Sequence, residues 1–307
     1  MFIMMNAARY AVGVQGIAIA ERAYQKAVAY ARDRVQSRPV DGSMNTAAPI
    51  IHHPDVKRML MTMRASTEGC RAMAAVAAAA YDASHHHPDA EARKENATFY
   101  EFLVPLVKGY STEMSLEVTS LGVQVHGGMG FIEETGAAQY YRDAKILTIY
   151  EGTTAIQAND LVGRKTARDG GTTAKAIAQR IEETEQQLAA GSAQAKAVGK
   201  RLTAARQAFV DVVDFIAANT KGNPNAAFAG SVPYLMLAGN LMAGWQMARA
   251  LLVAEDLSKK GQDTAFMQAK ITTARFYADH ILSRAPGVRD AIVEGAEAVT
   301  ALSADAF

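Results

Sequence analysis

The sequence predicts an all-α protein, and two observations carry that prediction. Apolar residues recur at three- and four-residue steps. In LTAARQAFVDVVDFIAANT, for instance, Leu202, Ala205, Phe209, Val212, Val213 and Ile216 fall on one stripe of a helix. Between breakers the chain is rich in alanine, leucine, methionine, glutamine and charged residues, with 8 prolines in 307 residues and no convincing run of alternating strand. In chain order the predicted helices are Met4 to Val35, Pro54 to Ser84, Ala90 to Gln124, Thr153 to Arg168, Thr173 to Ala190, Ala193 to Thr220, Val232 to Lys260 and Asp263 to Ser283. The breaks have their own chemistry: SRPVDGSMNTAAPIIHHP carries proline and glycine, HHHPD and KGNPN are turns, and HGGMG is a glycine turn. ARDGGTTAK, around Gly170 and Gly171, is small, polar and glycine-rich, and divides the chain into residues 1–168 and 169–307. Long helices joined by short turns pack most simply as an up-down four-helix bundle, here followed by a second helical extension domain.

Composition narrows the function classes. Hydrophobic residues make up 50% and charged residues 21%, enough apolar material for a sizeable core. A formal net charge of +1 argues against binding nucleic acid or an anionic membrane through a generic basic surface. The single cysteine, Cys70, forms no intramolecular disulfide, which points to a reducing cytoplasm. No apolar run reaches the roughly 18 residues that a membrane-spanning helix requires. The opening MFIMMNAARY is apolar yet lacks a basic leader and a cleavage site, so it reads as an element from the interior of a fold.

Candidate chemistry begins with ILTIYEGTTAIQ, where an apolar run ends in Glu151 and Gly152. A carboxylate at the rim of an apolar cavity becomes a stronger base, because desolvation disfavours its charged form. Gly152 lets a ligand approach the backbone. The competing reading is local: Thr154 with Gln157 fits a capping box, and an acid near a helix N-terminus needs no catalytic role. In GVQVHGGMGF, Gln124 with Gly127 and Gly128 suits a flat or phosphorylated ligand touching main chain, although a glycine-stopped helix explains the same residues. Arg32, Arg34 and Arg38 in YARDRVQSRP suit a diphosphate, and equally a helix C-terminus. His85, His86 and His87 read as a solvated turn, and with no HExxH or cysteine pair no metal site is expected. Trp245 and the regularly spaced methionines read as core.

Taken together, GVQVHGGMGFIEETGAAQYYRDAKILTIYEGTTAIQ closely resembles the C-terminal signature of the acyl-CoA dehydrogenases, with helix, glycine turn, YRDAKI and YEGT in the family's order. The resemblance covers about Met1 to Arg168. The helical stretch after Gly170 resembles a longer bacterial subgroup that includes enzymes acting on 3-methylmercaptopropionyl-CoA and on long acyl-CoAs. The resemblance implies a flavin-dependent oxidoreductase in which Glu151 is the base that removes the α-proton of an acyl-CoA thioester while the β-hydride passes to FAD. By position it places Arg9, Asn6 and Gly152 on the substrate side. It places Arg34, Gln36, Gln124, Gly127, Gly128, Thr153 and Gln157 around FAD, several of them across a subunit interface. Ser37 and Ala155 depart from a phenylalanine and a glutamine common in shorter members. The implied partners are an electron-transfer flavoprotein and further copies of the chain, as a homodimer or homotetramer. Members also carry an N-terminal helical domain and a middle β-domain upstream. The expectation is therefore the C-terminal part of a longer or two-chain enzyme, inactive by itself. An acyl-CoA oxidase and a non-catalytic helical oligomerisation module are the alternatives.

Overall fold

The computed structural model describes residues 2–306, which carry no β-strand beyond one isolated bridge between Val35 and Pro49. Met1 and Phe307, the outer limits of the two expected domains, lie outside the described residues. The first half contains α1 (Phe2–Asp33), α2 (Pro54–His86), α3 (Ala90–Pro105), α4 (Ser111–His126), α5 (Gly128–Phe131), α6 (Ala137–Leu147) and α7 (Thr154–Asp160). The second contains α8 (Thr172–Ala189), α9 (Ala193–Asn219), α10 (Pro224–Ala229), α11 (Ser231–Lys259), α12 (Thr264–His280), α13 (Ala285–Val293) and α14 (Ala296–Val299).

Local chemistry explains most boundaries. α2 begins with Pro54 at its first position and Asp55 in its first turn, both suited to a helix N-terminus, and it stops just before Pro88. Asp89 caps α3, its Oδ1 accepting from the Glu91 amide at 3.2 Å, and Ser192 caps α9 through the Ala195 amide at 3.1 Å. The predicted helix Ala90 to Gln124 is interrupted: Leu106–Tyr110 widens into a π turn between α3 and α4. Pro105 is the reason, since it lacks an amide donor and its ring displaces the carbonyl one turn back. The predicted helix Thr153 to Arg168 likewise opens into a π turn over Leu161–Thr166 and a 3-10 turn over Ala167–Asp169. Sequence reading missed α5, α6, α10, α13 and α14. In α6, Ala137, Ala144 and Leu147 are buried at seven- and three-residue steps, a helical stripe whose last turn overlaps the apolar run that precedes Glu151.

Small residues set how closely the helices approach. Ala20, Ala23, Ala27 and Ala31 form the buried stripe of α1, and a Cβ on Gly13 would overlap the carbonyl of Val107 in the π turn. α11 runs through the centre of the molecule, with Leu235, Ala238, Leu241, Ala243 and Ala248 buried. One apolar core crosses the Gly170–Gly171 turn. The Phe209 ring of α9 meets Phe102 of α3 edge-on at 6.4 Å and stacks on Tyr234 of α11 at 5.9 Å. The Tyr110 hydroxyl donates to Asn240 Oδ1 at 2.6 Å, and Tyr277 donates to the Asn240 carbonyl at 3.2 Å. Trp245 is buried, as expected, and its indole donates to Thr184 Oγ1 at 2.8 Å.

Because a Cβ at position 239 would overlap the Tyr110 ring, Gly239→Ala is expected to lose about 1–3 kcal/mol. Gly222→Ala, where the space is open, should stay within about 0.5 kcal/mol of the parent. Urea denaturation of both variants checks the contrast.

Candidate active site

Glu151 sits in the bend between α6 and α7. The chain leaves α6 in a tight turn, with the Ile149 and Tyr150 amides both donating to the Ile146 carbonyl at 3.0 and 3.1 Å. It then enters the left-handed region twice in succession, with φ of 56° at Glu151 and 86° at Gly152. Glycine accepts that conformation freely, and a side chain at 152 would also press on Gln157 Nε2 at 2.8 Å. Glutamate does not accept it freely: left-handed backbone costs a non-glycine residue about 1–2 kcal/mol. A strained, half-buried carboxylate at this bend is a candidate functional group.

The capping box expected from Thr154 and Gln157 is not formed. Thr153 is the N-cap instead, its hydroxyl accepting from the Ile156 amide at 3.3 Å, while Thr154 Oγ1 donates to Glu113 Oε1 at 2.5 Å. Gln157 is fully buried beneath the bend. Its Nε2 lies 3.3 Å from the carbonyls of both Glu151 and Gly152, and its Oε1 has no partner. The apolar run before Glu151 does not enclose it in this chain, because Ile146 and Ile149 are 53% and 49% exposed. They lie on the solvent side of α6 and of the turn, whereas Leu147 faces inward.

Positive charge gathers around this bend. Lys108, on the π turn, is fully buried, and its Nζ donates to the Gly152 carbonyl at 2.6 Å. Burial lowers the Lys108 pKa to about 8; Arg9 pushes it the same way, while Glu113 and Glu151 oppose the fall. Its folded value thus lies below the ordinary lysine value of 10.5. The ammonium therefore costs stability below pH 8, and the cost fades as pH rises through 8 towards 10.5. Arg9 on α1 pairs with Asp160 of α7, Nη1 to Oδ2 at 3.3 Å, and its Nε is buried with no partner. Asp160 Oδ1 lies 3.4 Å from the Arg164 guanidinium. Asn6 precedes Arg9 by three residues on the same helix face. Sequence reading did not single out Lys108, Glu113 or Asp160. A lysine within the apolar run FLVPLVKGY was the one available signal.

A second group of expected residues meets at the other end of α1. Arg34, Gln36, Gln124, Gly127 and Gly128 line one open pocket of about 670 Å³, together with Tyr30, Ser37, His53 and His126. The backbone there is pinned by the Gln36 amide donating to the Ala48 carbonyl at 3.0 Å and His53 Nε2 donating to the Gln36 carbonyl at 2.8 Å. Tyr30 stacks on His126 at 4.3 Å, and His126 Nδ1 donates to the Gly122 carbonyl at 2.7 Å. Burial moves His126 below its usual pKa range, so its ring is neutral near pH 7. Gly127 has φ of 60°, and the space a Cβ would take at Gly127 and Gly128 is open. The residues present therefore fit an anionic, planar dinucleotide: a guanidinium, an amide and accessible glycine backbone around a cavity of ligand size. Arg9 and Arg34 are 25 residues apart on or just beyond α1, roughly 37 Å along its axis. Among the described residues, no group of histidine, cysteine, aspartate and glutamate forms a metal site.

Residues 3–165 match the family model described as acyl-CoA dehydrogenase, C-terminal domain. The chain belongs to that family. Residues 174–303 match a second model, described as acetyl-CoA dehydrogenase C-terminal like. The chain is 60% identical to 3-methylmercaptopropionyl-CoA dehydrogenase of Ruegeria pomeroyi, over 92% of this chain and 48% of that protein. It is 35% identical to the broad-specificity linear acyl-CoA dehydrogenase FadE5 of Mycobacterium tuberculosis, over 95% of this chain and 50% of that protein. The chain thus spans about half the length of these relatives. Its fold is similar to that of an acyl-CoA dehydrogenase from Bacillus anthracis solved with FAD, with a TM-score of 0.75, 20% identity, and coverage of 98% of this chain and 53% of that one. No helix among the described residues is long and apolar enough to cross a membrane.

Replacing Glu151 with glycine removes the strained side chain, so Glu151→Gly is expected to raise stability by about 1 kcal/mol. Equilibrium unfolding of the variant against the parent checks this.

Proposed function

We propose that this chain is the base-bearing part of an acyl-CoA dehydrogenase, in which Glu151 removes the α-proton of an acyl-CoA thioester. The observation that carries the reading is the bend itself: a carboxylate held at φ of 56°, with a buried ammonium one hydrogen bond away through the next residue's carbonyl. A thioester α-proton is very weakly acidic, so the base must be fixed at the carbon before reaction and be shielded from water. Fixing is done by the two donors on the Glu151 and Gly152 carbonyls. Arg9 and Asn6 border the substrate side, and Gly152 leaves room for the thioester to approach main chain. FAD, when bound, supplies the acceptor for the β-hydride. Arg34, Gln36, Gln124, Gly127 and Gly128 would hold its diphosphate and adenosine in the pocket that they line, and Thr153 would stand on its flavin side. Gln157 serves from beneath the bend. With the two sites at opposite ends of α1, the nucleotide pocket of one protomer serves the base of another, which calls for a homodimer or homotetramer. An electron-transfer flavoprotein is the proposed electron acceptor. The blocks 1–168 and 169–307 are proposed as bundle and extension, acting together in the cytoplasm.

Shielding the base falls to polypeptide beyond this chain, since Ile146, Ile149 and Ile156 around the bend are exposed. The 307-residue chain alone is expected to hold FAD weakly and to show no dehydrogenase turnover. A flavin absorption spectrum and a dye-reduction assay on the purified chain check this; a stoichiometric yellow protein that oxidises acyl-CoA contradicts it. In the enzyme completed with the preceding half of a relative, Glu151→Gln is expected to cut kcat by at least about 10³-fold with the fold intact. Retained turnover would favour the non-catalytic module. Oxygen consumption without an added acceptor would favour an oxidase.

A further inference from the structure

From its geometry we infer that Lys108 is the positioning residue of the Glu151 bend, fixing the peptide that follows the carboxylate; its catalytic meaning rests on reading Glu151 as the base. Lys108 Nζ donates to the Gly152 carbonyl at 2.6 Å from a fully buried position. Packing alone gives no reason for a lysine there. Taking an ammonium out of water costs several kcal/mol, and an apolar side chain of similar length would fill the same space without that cost. What the ammonium adds is a short, charge-assisted hydrogen bond to one carbonyl, in a low-dielectric interior where such bonds are strongest.

The bond acts on the most strained segment of the site. Residues 151 and 152 are both left-handed, and a chain in that conformation relaxes unless something over-determines it. Gln157 Nε2 reaches the same two carbonyls, but at 3.3 Å each it is the weaker holder. Lys108 is itself held from two sides. A Cβ on Gly13 of α1 would overlap Val107, and a Cβ on Gly109 would lie 2.6 Å from Leu235 of α11. Next to them, Tyr110 is bonded to Asn240 of α11. The extension helix α11 therefore buttresses the π turn that carries the lysine, and so contributes to placing a base more than 80 residues upstream of it. The charged groups facing Lys108 are Arg9 from α1, Glu113 from α4 and Glu151 from the bend, with Asp160 of α7 balancing Arg9.

Hydrogen exchange on the chain as it stands tests the hold. Lys108→Met is expected to speed amide exchange across residues 148–157 by about tenfold or more, and to leave residues 172–219 unchanged. Equal rates in the two proteins overturn the inference. Should Lys108→Met not fold, lysine ammonium NMR on the parent decides. One ammonium is expected to exchange slowly with water and titrate near pH 8; if every lysine exchanges fast and titrates normally, the inference falls. In the completed enzyme, Lys108→Met should lower kcat by about 10- to 100-fold with KM changed less than about twofold. A loosened bend with unchanged kcat overturns the positioning role. If Glu151→Gln instead keeps its turnover, the base assignment fails, and the exchange experiment still settles whether Lys108 holds the bend.

Discussion

Two helices and the Glu151 bend meet at the π turn of residues 106–110, and the rest of the molecule is arranged around that contact. α1 reaches it through Gly13, α11 through Leu235 and Gly239, and the bend after α6 through the Gly152 carbonyl. Glycine stands where the packing is closest: Gly13 against the Val107 carbonyl, Gly109 against the Leu235 side chain and Gly239 against the Tyr110 ring. The turn exists because Pro105 withholds one amide and pushes the chain off the regular spiral. A regular helix through Ala90 to His126 would present Lys108 in a different direction and leave the Gly152 carbonyl to Gln157 alone. One proline thus links the path of α3 and α4 to the geometry of a carboxylate some 46 residues further on.

The second half of the chain belongs to the same physical unit. Its longest helix, α11, is buried on nearly every face, and the aromatic contacts Phe102–Phe209 and Phe209–Tyr234 carry the core across the glycine turn at 170 and 171. The family models separate at the same place, with matches ending at residue 165 and resuming at 174. A sequence boundary and a packing boundary therefore differ here. The first follows composition, and the second follows where large apolar side chains find volume to fill.

Several residues that the sequence singled out as candidates are brought together by the fold. Glu151 stood out as an acid before glycine, and the structure holds it in a bend with left-handed backbone. Arg34, Gln36, Gln124, Gly127 and Gly128, scattered over 95 residues of sequence, line one pocket. The local reading of Thr154 and Gln157 failed because the capping pattern allows either threonine to lead. Thr153 wins, since Thr154 is drawn to Glu113 and Gln157 to the carbonyls of the bend. The apolar run before Glu151 was read as drying the site, yet Ile146, Ile149 and Tyr150 are exposed and Leu147 alone of the four is buried.

Helical periodicity, breaker residues and motif order were enough to determine the all-α class, most helix positions and the family. These are local properties, written within a few turns of chain. Lys108, Glu113 and Asp160 were decided only by tertiary structure. A lysine among apolar residues reads equally as a surface residue on a helix edge. Its burial, its one acceptor and the opposing pull of Arg9 and Glu113 come from segments up to 99 residues away. No local rule brings those segments together, because long-range packing sets their meeting point.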